Sequence, residues 1–399
     1  MMNCTVKVTN DTIWVGGNER RLNLFENAYP IPRVVSYNAY VVLDDKNVLV
    51  DTADKAIGDL FLENIEATLN GGKLDYVIVQ HMEPDHAATL MRVCERWPEA
   101  KVVASAKAAV MIGQFFGTAL KDRIQPVNEG DVLETGAHKY TFVMAPMVHW
   151  PEVMVTYEMT TKTLFSADAF GTFGAVSGFL FADEVNFERD WLDEARRYYT
   201  NIVGKYGAPV QALLKKAAGL EIAMICPLHG PIWRENIAWF VDKYQKWSTY
   251  TPEEDGVLIA YATVYGHTEN AAEVLAMDLR AAGVKNIAMY DVSVTHASYI
   301  LSDAFRFGKL AFLSSTYNSG IFPAMETLLH DVKAHALKKR TVALVENGSW
   351  APTSGKQMRE VLSGLQNVNV LENTVSIRSA LNTDTREQLR ELARQLAEA

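Results

Sequence analysis

Four potential metal ligands occur within six residues in the first half of the chain. His81, Glu83, Asp85 and His86 follow directly after the apolar run Tyr76–Val79. A segment that leaves a strand and contains a proline is predicted to be a loop, and a loop can turn alternate side chains toward one point. Imidazole and carboxylate groups at this density indicate a metal site.

Three further candidates have the same setting, because each comes just after a short apolar run that predicts a strand. They are His149, Asp168 and His229. Ligands at the ends of several strands converge on one rim of a sheet. Any one of these histidines alone is more typical of a core or surface residue. The whole set exceeds the four ligands of a tetrahedral zinc and suits two metals that share a bridging carboxylate.

Other polar residues of this half receive supporting or structural roles. Asp51 follows the apolar run Val48–Val50 and is predicted to tie neighbouring loops together. The remaining histidines lack a position at a strand end and are predicted to be solvated rather than metal ligands: His138, His267, His296, His330 and His335.

The second half contains a predicted phosphate loop, where the apolar run Val257–Ala262 leads into an amphipathic segment. Hydroxyl groups, a glycine and free backbone amides at a helix N-terminus bind an anionic phosphate. An ordinary turn with a helix cap is the alternative. Two more polar loops follow later strands, and the residues assigned to the three loops are Thr263, Val264, Tyr265, Gly266, His267, Thr268, Glu269, Ser315, Thr316, Tyr317, Asn318, Gly320, Asn347, Gly348, Ser349 and Trp350.

Aromatic and amide groups in these loops could enclose an isoalloxazine ring, although Tyr317 or Trp350 alone could equally be core residues. The loops lack the Gly-x-Gly-x-x-Gly fingerprint, and no acidic residue follows the first strand where it would bind a ribose hydroxyl. The pattern therefore favours FMN over NAD or FAD.

The length of the chain and the pattern of predicted strands and helices indicate two domains. The chain has 399 residues, and single cores rarely grow beyond ~250–300 residues. The segment Trp247–Gly256 has few large aliphatic residues and is the predicted linker, which gives domains 1–248 and 249–399. The second is predicted to be a doubly wound α/β domain, because helical segments alternate with strands at Val257–Ala262, Ile287–Tyr290, Leu310–Ser314, Val342–Val345 and Val368–Leu371.

Composition limits the possible partners and location. The formal net charge is −10 and no block of basic residues offsets it, which disfavours binding to nucleic acid or anionic membranes. The absence of a long apolar run or a signal-peptide pattern predicts a cytoplasmic protein. Cys4, Cys94 and Cys226 are far apart and are predicted to be buried thiols.

The segment His81–His86 resembles the metallo-β-lactamase superfamily, whose usual loop reads His-x-His-x-Asp-His. Here Glu83 replaces the second histidine. A hard, anionic oxygen donor stabilises ferric iron better than a neutral imidazole does. With Glu83 the motif resembles the flavodiiron branch, and the three loops of the second half resemble flavodoxin, with His267 where flavodoxins often have Asn. The resemblance implies an N-terminal αββα sandwich followed by a flavodoxin-like parallel sheet.

The same resemblance implies roles for the ligands. One iron would be held by His81, Glu83 and His149, and the other by Asp85, His86 and His229. Asp168 would bridge the two. Glu26 lies where some relatives have a histidine and is a candidate for influencing the choice of gas.

The implied function is an oxidoreductase that passes electrons from FMN to a di-iron centre and reduces dioxygen to water, nitric oxide to nitrous oxide, or both. The electron donor would be a separate rubredoxin or a similar small carrier. A head-to-tail homodimer, or a tetramer built from it, would bring the FMN of one subunit to the irons of the other. The alternatives are a dinuclear zinc hydrolase fused to a flavodoxin-like domain and a flavin electron carrier with an inert metal fold, although no ligand is missing.

Overall fold

The computed structural model describes residues 3–399, which form two compact units. One unit runs up to Tyr199 and again from Ala208 to Gln245, and the other comprises Thr200–Gly207 and Lys246–Ala399. The sequence placed a single boundary between residues 248 and 249. It gave no sign that residues 200–207 leave the first unit and return.

The first unit contains sixteen short strands and most of eight helices. The strands are β1 (Val6–Lys7), β2 (Thr12–Trp14), β3 (Gly17–Glu19), β4 (Leu24–Phe25), β5 (Tyr29–Pro30), β6 (Val35–Tyr37), β7 (Tyr40–Val42), β8 (Val48–Val50), β9 (Tyr76–Val79), β10 (Lys101–Ser105), β11 (Ile124–Val127), β12 (Val132–Glu134), β13 (Lys139–Met144), β14 (Met154–Glu158), β15 (Thr163–Phe165) and β16 (Met224–Cys226). The helices are α1 (Gly58–Leu69), α2 (Pro84–Ala87), α3 (Leu90–Arg96), α4 (Ala106–Phe116), α5 (Phe187–Asp190), α6 (Leu192–Tyr198), α7 (Gly207–Ala217) and α8 (Ile237–Ser248).

Two sheets provide the frame of this unit. One has seven strands in the order β1-β2-β7-β8-β9-β10-β11, and the other has five in the order β12-β13-β14-β15-β16. Apolar residues from both sheets, such as Tyr40 and Ile78 from one and Phe142 and Phe165 from the other, form one buried cluster. The predicted sandwich is therefore confirmed.

The second unit contains β17 (Glu254–Ala262), β18 (Ile287–Asp291), β19 (Phe307–Tyr317), β20 (Gly320–Ile321), β21 (Arg340–Asn347) and β22 (Val368–Ile377), together with α9 (His267–Ala281), α10 (Ala297–Arg306), α11 (Pro323–Ala334), α12 (Ser354–Leu362) and α13 (Thr383–Glu398). The main strands are parallel in the order β18-β17-β19-β21-β22. That order is the flavodoxin-like 2-1-3-4-5 arrangement, in which ligands bind at the carboxyl ends of the strands near the switch point. The fold predicted for this half is confirmed.

Half of the predicted linker lies in regular structure. Helix α8 continues to Ser248 and β17 begins at Glu254. Trp247 is fully buried and donates a 3.0 Å hydrogen bond from Nε1 to Glu253. Low aliphatic content therefore does not make this segment open, because its aromatic residues Trp247 and Tyr250 are buried.

Two minor predictions are wrong. Cys94 and Cys226 are buried thiols, but Cys4 is exposed. His138 is buried, with its Nε2 2.9 Å from Asp11 Oδ2 and its Nδ1 3.2 Å from Glu158 Oε1. A histidine without a place at a strand end can thus be buried when a carboxylate lies beside each ring nitrogen. Across residues 3–399 no helix is both long and apolar enough to cross a membrane.

Candidate metal centre and flavin pocket

The ligand-rich segment after β9 is only partly the predicted loop. Glu83 has an extended backbone, whereas Asp85 and His86 lie in the short helix α2, which begins at Pro84. Proline is favoured at the first helical position because its fixed φ suits the helix and its missing N–H costs nothing there. The change from extended to helical backbone directs Glu83 and the pair Asp85 and His86 to two different places.

Left-handed backbone precedes two of the other ligands. Met147 has φ 65° two residues before His149, and Ala167 has φ 50° directly before Asp168. Residues with a Cβ adopt this conformation at a cost of ~1–3 kcal/mol, and such positions cluster at functional sites. The chain therefore turns sharply after β13 and β15 to bring both ligands to the rim.

One group of donor atoms, here named position 1, lies around Asp168 Oδ2. His81 Nε2 lies 3.2 Å from that oxygen and 3.2 Å from Glu83 Oε2. His149 Nε2 lies 2.9 Å from Glu83 Oε2 and 3.5 Å from Asp168 Oδ2. All four side chains are buried and their donor atoms converge.

A second group, position 2, lies around the other oxygen of the same carboxylate. His86 Nε2 is 3.3 Å from Asp168 Oδ1 and 3.3 Å from Asp85 Oδ2. His229 Nε2 is 3.4 Å from Asp168 Oδ1 and 3.3 Å from Asp85 Oδ2. Asp168 thus presents one oxygen to each position, as a bridging carboxylate does.

The donor set fits two metal ions. Donors bound to one ion at ~2.0–2.2 Å lie ~3.0–3.5 Å apart, which matches the spacing in both positions. Three carboxylates face four imidazoles. Both oxygens of Asp85 and Oδ2 of Asp168 are buried without a hydrogen-bond partner. Buried anionic oxygens in this number need positive charge beside them, and two cations supply it.

The electrostatics of the cluster point the same way. Burial opposes charging of His81, yet its contacts with Glu152 and Glu83 hold its pKa well above the usual value. Burial likewise opposes ionisation of Asp168, yet His86 and His81 hold the pKa of Asp168 well below its usual range. The site therefore attracts positive charge and keeps Asp168 ionised.

Several supporting residues were not found from the sequence. Glu152 accepts a 2.7 Å hydrogen bond from His81 Nδ1, and the Ser36 carbonyl accepts a 2.8 Å bond from His229 Nδ1. The Tyr198 hydroxyl donates to Asp168 Oδ1 over 3.0 Å. The only signal for Glu152 was an acidic residue three positions after a candidate ligand, and Tyr198 carried none.

Asp51 has the tying role that was predicted for it. Its Oδ1 accepts the backbone N–H of Gln80 over 2.8 Å, and its Oδ2 accepts Gln80 Nε2 over 2.7 Å. Gln80 directly precedes His81, so the ends of β8 and β9 are held together beside the first ligand.

A pocket of about 670 Å³ opens beside the two positions. Glu83 and Asp85 line it together with Glu26, Tyr37 and Phe25. Glu26 lies on the tight turn between β4 and β5 with φ 51°. A small molecule in this pocket can reach the exposed side of both ligand groups.

A second pocket, of about 450 Å³, lies in the other unit at the carboxyl ends of β17, β19 and β21. Thirteen of the sixteen residues assigned to the cofactor line it, whereas Gly266, Glu269 and Gly320 do not. Gly266 is the residue before α9 with φ 91°, so its role is to shape the turn. Ser319, Ala351 and Ser379 also line the pocket and were missed.

Hydrogen bonds fix the three loops against each other. The Thr268 and Ser315 hydroxyls are 2.9 Å apart, and Asn347 Nδ2 donates to the Ser379 carbonyl over 3.0 Å. Thr263 Oγ1 accepts the backbone N–H of Gly266 over 2.9 Å. The hydroxyls predicted to bind phosphate therefore also organise the loops.

The pocket is suited to a flat aromatic group with an anionic tail. Tyr317 and Trp350 are 46% and 87% exposed, so neither is the core residue that the alternative required. Among the described residues that line the pocket, none is acidic. The start of α9 contributes the positive end of a helix dipole. An isoalloxazine ring between the aromatics and a phosphate at the helix start fit these features.

Comparison with known proteins identifies the class to which these two units belong. Residues 35–230 match the ODP family beta lactamase model, and residues 259–391 match the flavodoxin model. The chain thus joins a metallo-β-lactamase-like domain to a flavodoxin domain.

Similar proteins that cover nearly the whole of this chain include two that are named as oxidoreductases. The anaerobic nitric oxide reductase flavorubredoxin of Aeromonas hydrophila is 28% identical over 98% of this chain and 80% of that protein. The rubredoxin oxygen:oxidoreductase of Desulfovibrio gigas has a TM-score of 0.92 and 28% identity, covering 99% of this chain and 98% of that one. A flavo di-iron protein variant from Thermotoga maritima has a TM-score of 0.90 and 25% identity over 99% of each chain. Over nearly its whole length the chain is thus similar to flavodiiron proteins, and it is an oxidoreductase.

Proposed function

We propose that the chain reduces nitric oxide, dioxygen or both, using electrons that an external carrier delivers through FMN to a di-iron centre. The observation that carries the proposal is the bridged pair of positions around Asp168. When bound, two iron ions supply one-electron redox chemistry and FMN supplies the electrons. Both gases are named as substrates of the relatives described above.

The chain's own residues favour iron over zinc at this site. Glu83 and Asp85 each add an anionic oxygen, Asp168 adds one oxygen to each position, and no thiolate takes part. Hard oxygen donors stabilise the ferric state. A hydrolytic zinc pair is the second candidate, since the same fold and a bridging carboxylate also suit it.

The first experiment is metal and flavin analysis of anaerobically purified protein, followed by stopped-flow mixing of the reduced protein with each gas. We expect two irons and one FMN per chain, with flavin oxidation on mixing. Two zincs, and no flavin oxidation coupled to gas consumption, would favour the hydrolase.

The Glu83→His variant sharpens the distinction, because it restores the usual superfamily loop. We expect its metal content to shift toward zinc and its gas reduction to fall by at least tenfold. Val294→Ala is a matched control, since Val294 is an exposed apolar residue of the other unit. It should keep the iron content and the rate of the wild type.

We further propose a head-to-tail homodimer in which FMN of one subunit serves the metal centre of the other. Mixing two variants, each assayed at an FMN concentration at which it is inactive alone, tests this arrangement directly. Asp168→Asn removes the bridge of one chain and Trp350→Ala weakens FMN binding in the other. Activity regained in mixed dimers is the expected result. A mixture that forms mixed dimers, as shown by differently tagged chains, yet stays inactive would refute transfer between subunits.

The electron donor proposed for this chain is a rubredoxin or a small carrier of the same kind, as the names of two relatives suggest. Flavin reduction by a reduced rubredoxin, followed by absorbance, tests it. A rate that saturates with carrier concentration is expected, and no reduction above the rate of dithionite alone would contradict the proposal.

A further inference from the structure

We propose that Glu152 makes position 1 the stronger cation site of the pair, so that the first metal ion binds there and the more oxidised ion is held there. The inference rests on the proposed di-metal function for its redox part only. It concerns how the surroundings of two similar ligand groups differ.

The ligand groups themselves are closely matched. Position 1 has two histidines and the carboxylate of Glu83, and position 2 has two histidines and the carboxylate of Asp85. Asp168 contributes one oxygen to each. Any large difference between the positions must therefore come from residues that contact the ligands.

At position 1 a buried carboxylate stands behind a histidine. Glu152 is 1% exposed, and its Oε1 accepts His81 Nδ1–H over 2.7 Å and the Met82 backbone N–H over 2.9 Å. Ser105 Oγ also holds the Glu152 carbonyl over 2.8 Å. This arrangement orients the imidazole so that Nε2 faces the metal. It also increases the basicity of Nε2, because a carboxylate draws the Nδ1 proton toward itself.

Position 2 has neutral support. His229 Nδ1 donates to the Ser36 carbonyl over 2.8 Å, and His86 Nδ1 is buried without a hydrogen-bond partner. A carbonyl oxygen carries only a partial charge and draws the proton less strongly. The histidines of position 2 are consequently the weaker donors.

The bridging carboxylate is polarised in the same direction. Tyr198 donates a 3.0 Å hydrogen bond to Asp168 Oδ1, which faces position 2. Asp168 Oδ2 faces position 1 and has no hydrogen-bond donor on it. A hydrogen bond withdraws electron density from the oxygen that accepts it, so Oδ2 is left as the better donor. Burial, together with a hydrogen bond to Glu83, raises the pKa of Glu26 to about 9, so Glu26 is neutral and donates to Glu83. This bond weakens Glu83 as a donor, but it is a single neutral contact at the open pocket, whereas the carboxylate of Glu152 contacts His81 in the buried interior.

Variants in which only one of the two positions is intact test which position binds metal more tightly, and they leave Glu152 unchanged. His229→Ala leaves position 1 and His149→Ala leaves position 2. Each variant is stripped of metal and titrated with Co²⁺, whose absorption reports binding. We expect at least tenfold tighter binding to the His229→Ala variant. Equal affinities, or tighter binding at position 2, would overturn the proposal.

The Glu152→Gln substitution then tests the cause, because glutamine keeps an acceptor for His81 and Met82 but removes the charge. We expect Co²⁺ affinity to fall 10–100-fold in the His229→Ala background, the usual effect of losing such a partner, and to stay unchanged in the His149→Ala background. Equal loss in both backgrounds would indicate general damage and refute the proposal.

Glu158→Gln is the matched control. Glu158 is also a buried glutamate that contacts a histidine, His138 Nδ1 at 3.2 Å, but that histidine is not a ligand. It should leave both Co²⁺ affinities unchanged. If Glu158→Gln lowered the Co²⁺ affinity in either background as much as Glu152→Gln does, the charge of Glu152 would have no special role.

A redox readout applies to the iron-loaded protein. Adding one electron at a time from dithionite should reduce the ion at position 2 first and the ion at position 1 second. In Glu152→Gln we expect the ferric preference of position 1 to fall at least tenfold, which raises the second potential by at least ~59 mV. The first reduction potential should hardly change. The one-electron-reduced state, detected by EPR, should therefore persist over a narrower range of potential than in the wild type. If Co²⁺ binding is ordered but gases are not reduced, the proposed function fails while this inference stands.

Discussion

His86 Nε2 and His229 Nε2 lie 3.0 Å apart in the buried centre of the first unit. His229 Nδ1 carries its proton toward the Ser36 carbonyl, so the lone pair of a neutral His229 ring is on Nε2. Two ring nitrogens this close need a proton or a cation between them, and both also face Asp85 and Asp168. The native contacts of this region therefore depend on bound positive charge.

Metal removal should accordingly lower the stability of the first unit. We expect dialysis against a chelator to reduce its melting temperature. An ion whose free concentration is a hundred times its dissociation constant adds ~2.7 kcal/mol to the free energy of unfolding, and this contribution is lost when the metal is removed. Differential scanning calorimetry before and after adding back Fe²⁺ or Zn²⁺ measures the effect. The transition of the flavodoxin-like unit is the internal control and should not shift. Equal stability with and without metal would contradict a di-metal centre.

Because Asp168 offers one oxygen to each position, Asp168→Asn and Glu83→Gln should lower the metal content of the protein by different amounts. Asp168→Asn removes an anionic donor from both positions, so we expect metal content to fall toward zero. Glu83→Gln alters position 1 alone and should leave close to one metal per chain. Metal analysis after gel filtration distinguishes them. If Asp168→Asn retained two tightly bound ions, Asp168 would not be the bridge.

The elements and ligands were predictable because their signals are local. Val48–Val50 and Tyr76–Val79 were placed correctly, since continuous apolar runs rich in β-branched residues are typical of buried strands. Each ligand after a strand was visible for the same reason. The helix α2 was missed because a four-residue helix has no room for a periodic pattern.

The supporting residues could not be predicted because they depend on contacts between distant parts of the chain. Glu152 and His81 are 71 residues apart in sequence, and Tyr198 and Asp168 are 30 apart. No spacing rule links such pairs. The burial of His138 was missed on the same grounds, since one of its carboxylate partners, Asp11, is 127 residues away.

Trp350 should contribute to flavin binding, because it is exposed although it is large and apolar and it lines the pocket. Stacking of a base on an aromatic side chain is worth ~1–3 kcal/mol. We therefore expect Trp350→Ala to weaken FMN binding by about 5–150-fold. Quenching of FMN fluorescence on titration into flavin-free protein measures the dissociation constant.

Val294→Ala is the control for this substitution. Val294 is 83% exposed in the same unit and does not line the pocket, so its loss should leave the dissociation constant unchanged. Unchanged FMN affinity in Trp350→Ala would place the ring elsewhere. Weaker binding in both variants would point to a general loss of structure.

His138 should make the stability of the first unit depend on pH. The hydrogen bond with Glu158 raises the pKa of His138 from 6.5 to about 9. Burial opposes the ionisation of Glu158, but its bonds with His138 and Thr161 lower its pKa from 4.5 to about 2. The folded protein therefore favours the charged pair.

These shifts in pKa determine how the stability of the unit changes with pH. The contribution of His138 is complete below pH ~6.5, where the unfolded histidine is also protonated, and is lost as the pH rises to about 9. On the acid side, the contribution of Glu158 is complete above its unfolded value and is lost as the pH falls toward about 2. The pair therefore stabilises the fold most between these two ranges.

We expect His138→Gln to destabilise the unit by at most ~3 kcal/mol near pH 5.5, the free energy equivalent of the His138 shift, and by progressively less toward pH 9. Urea unfolding of both proteins at several pH values gives the difference. His330→Gln, which alters an exposed histidine, should show a small and constant difference. A His138→Gln difference that stays flat from pH 5.5 to pH 9 would show that His138 contributes through packing rather than through its charge.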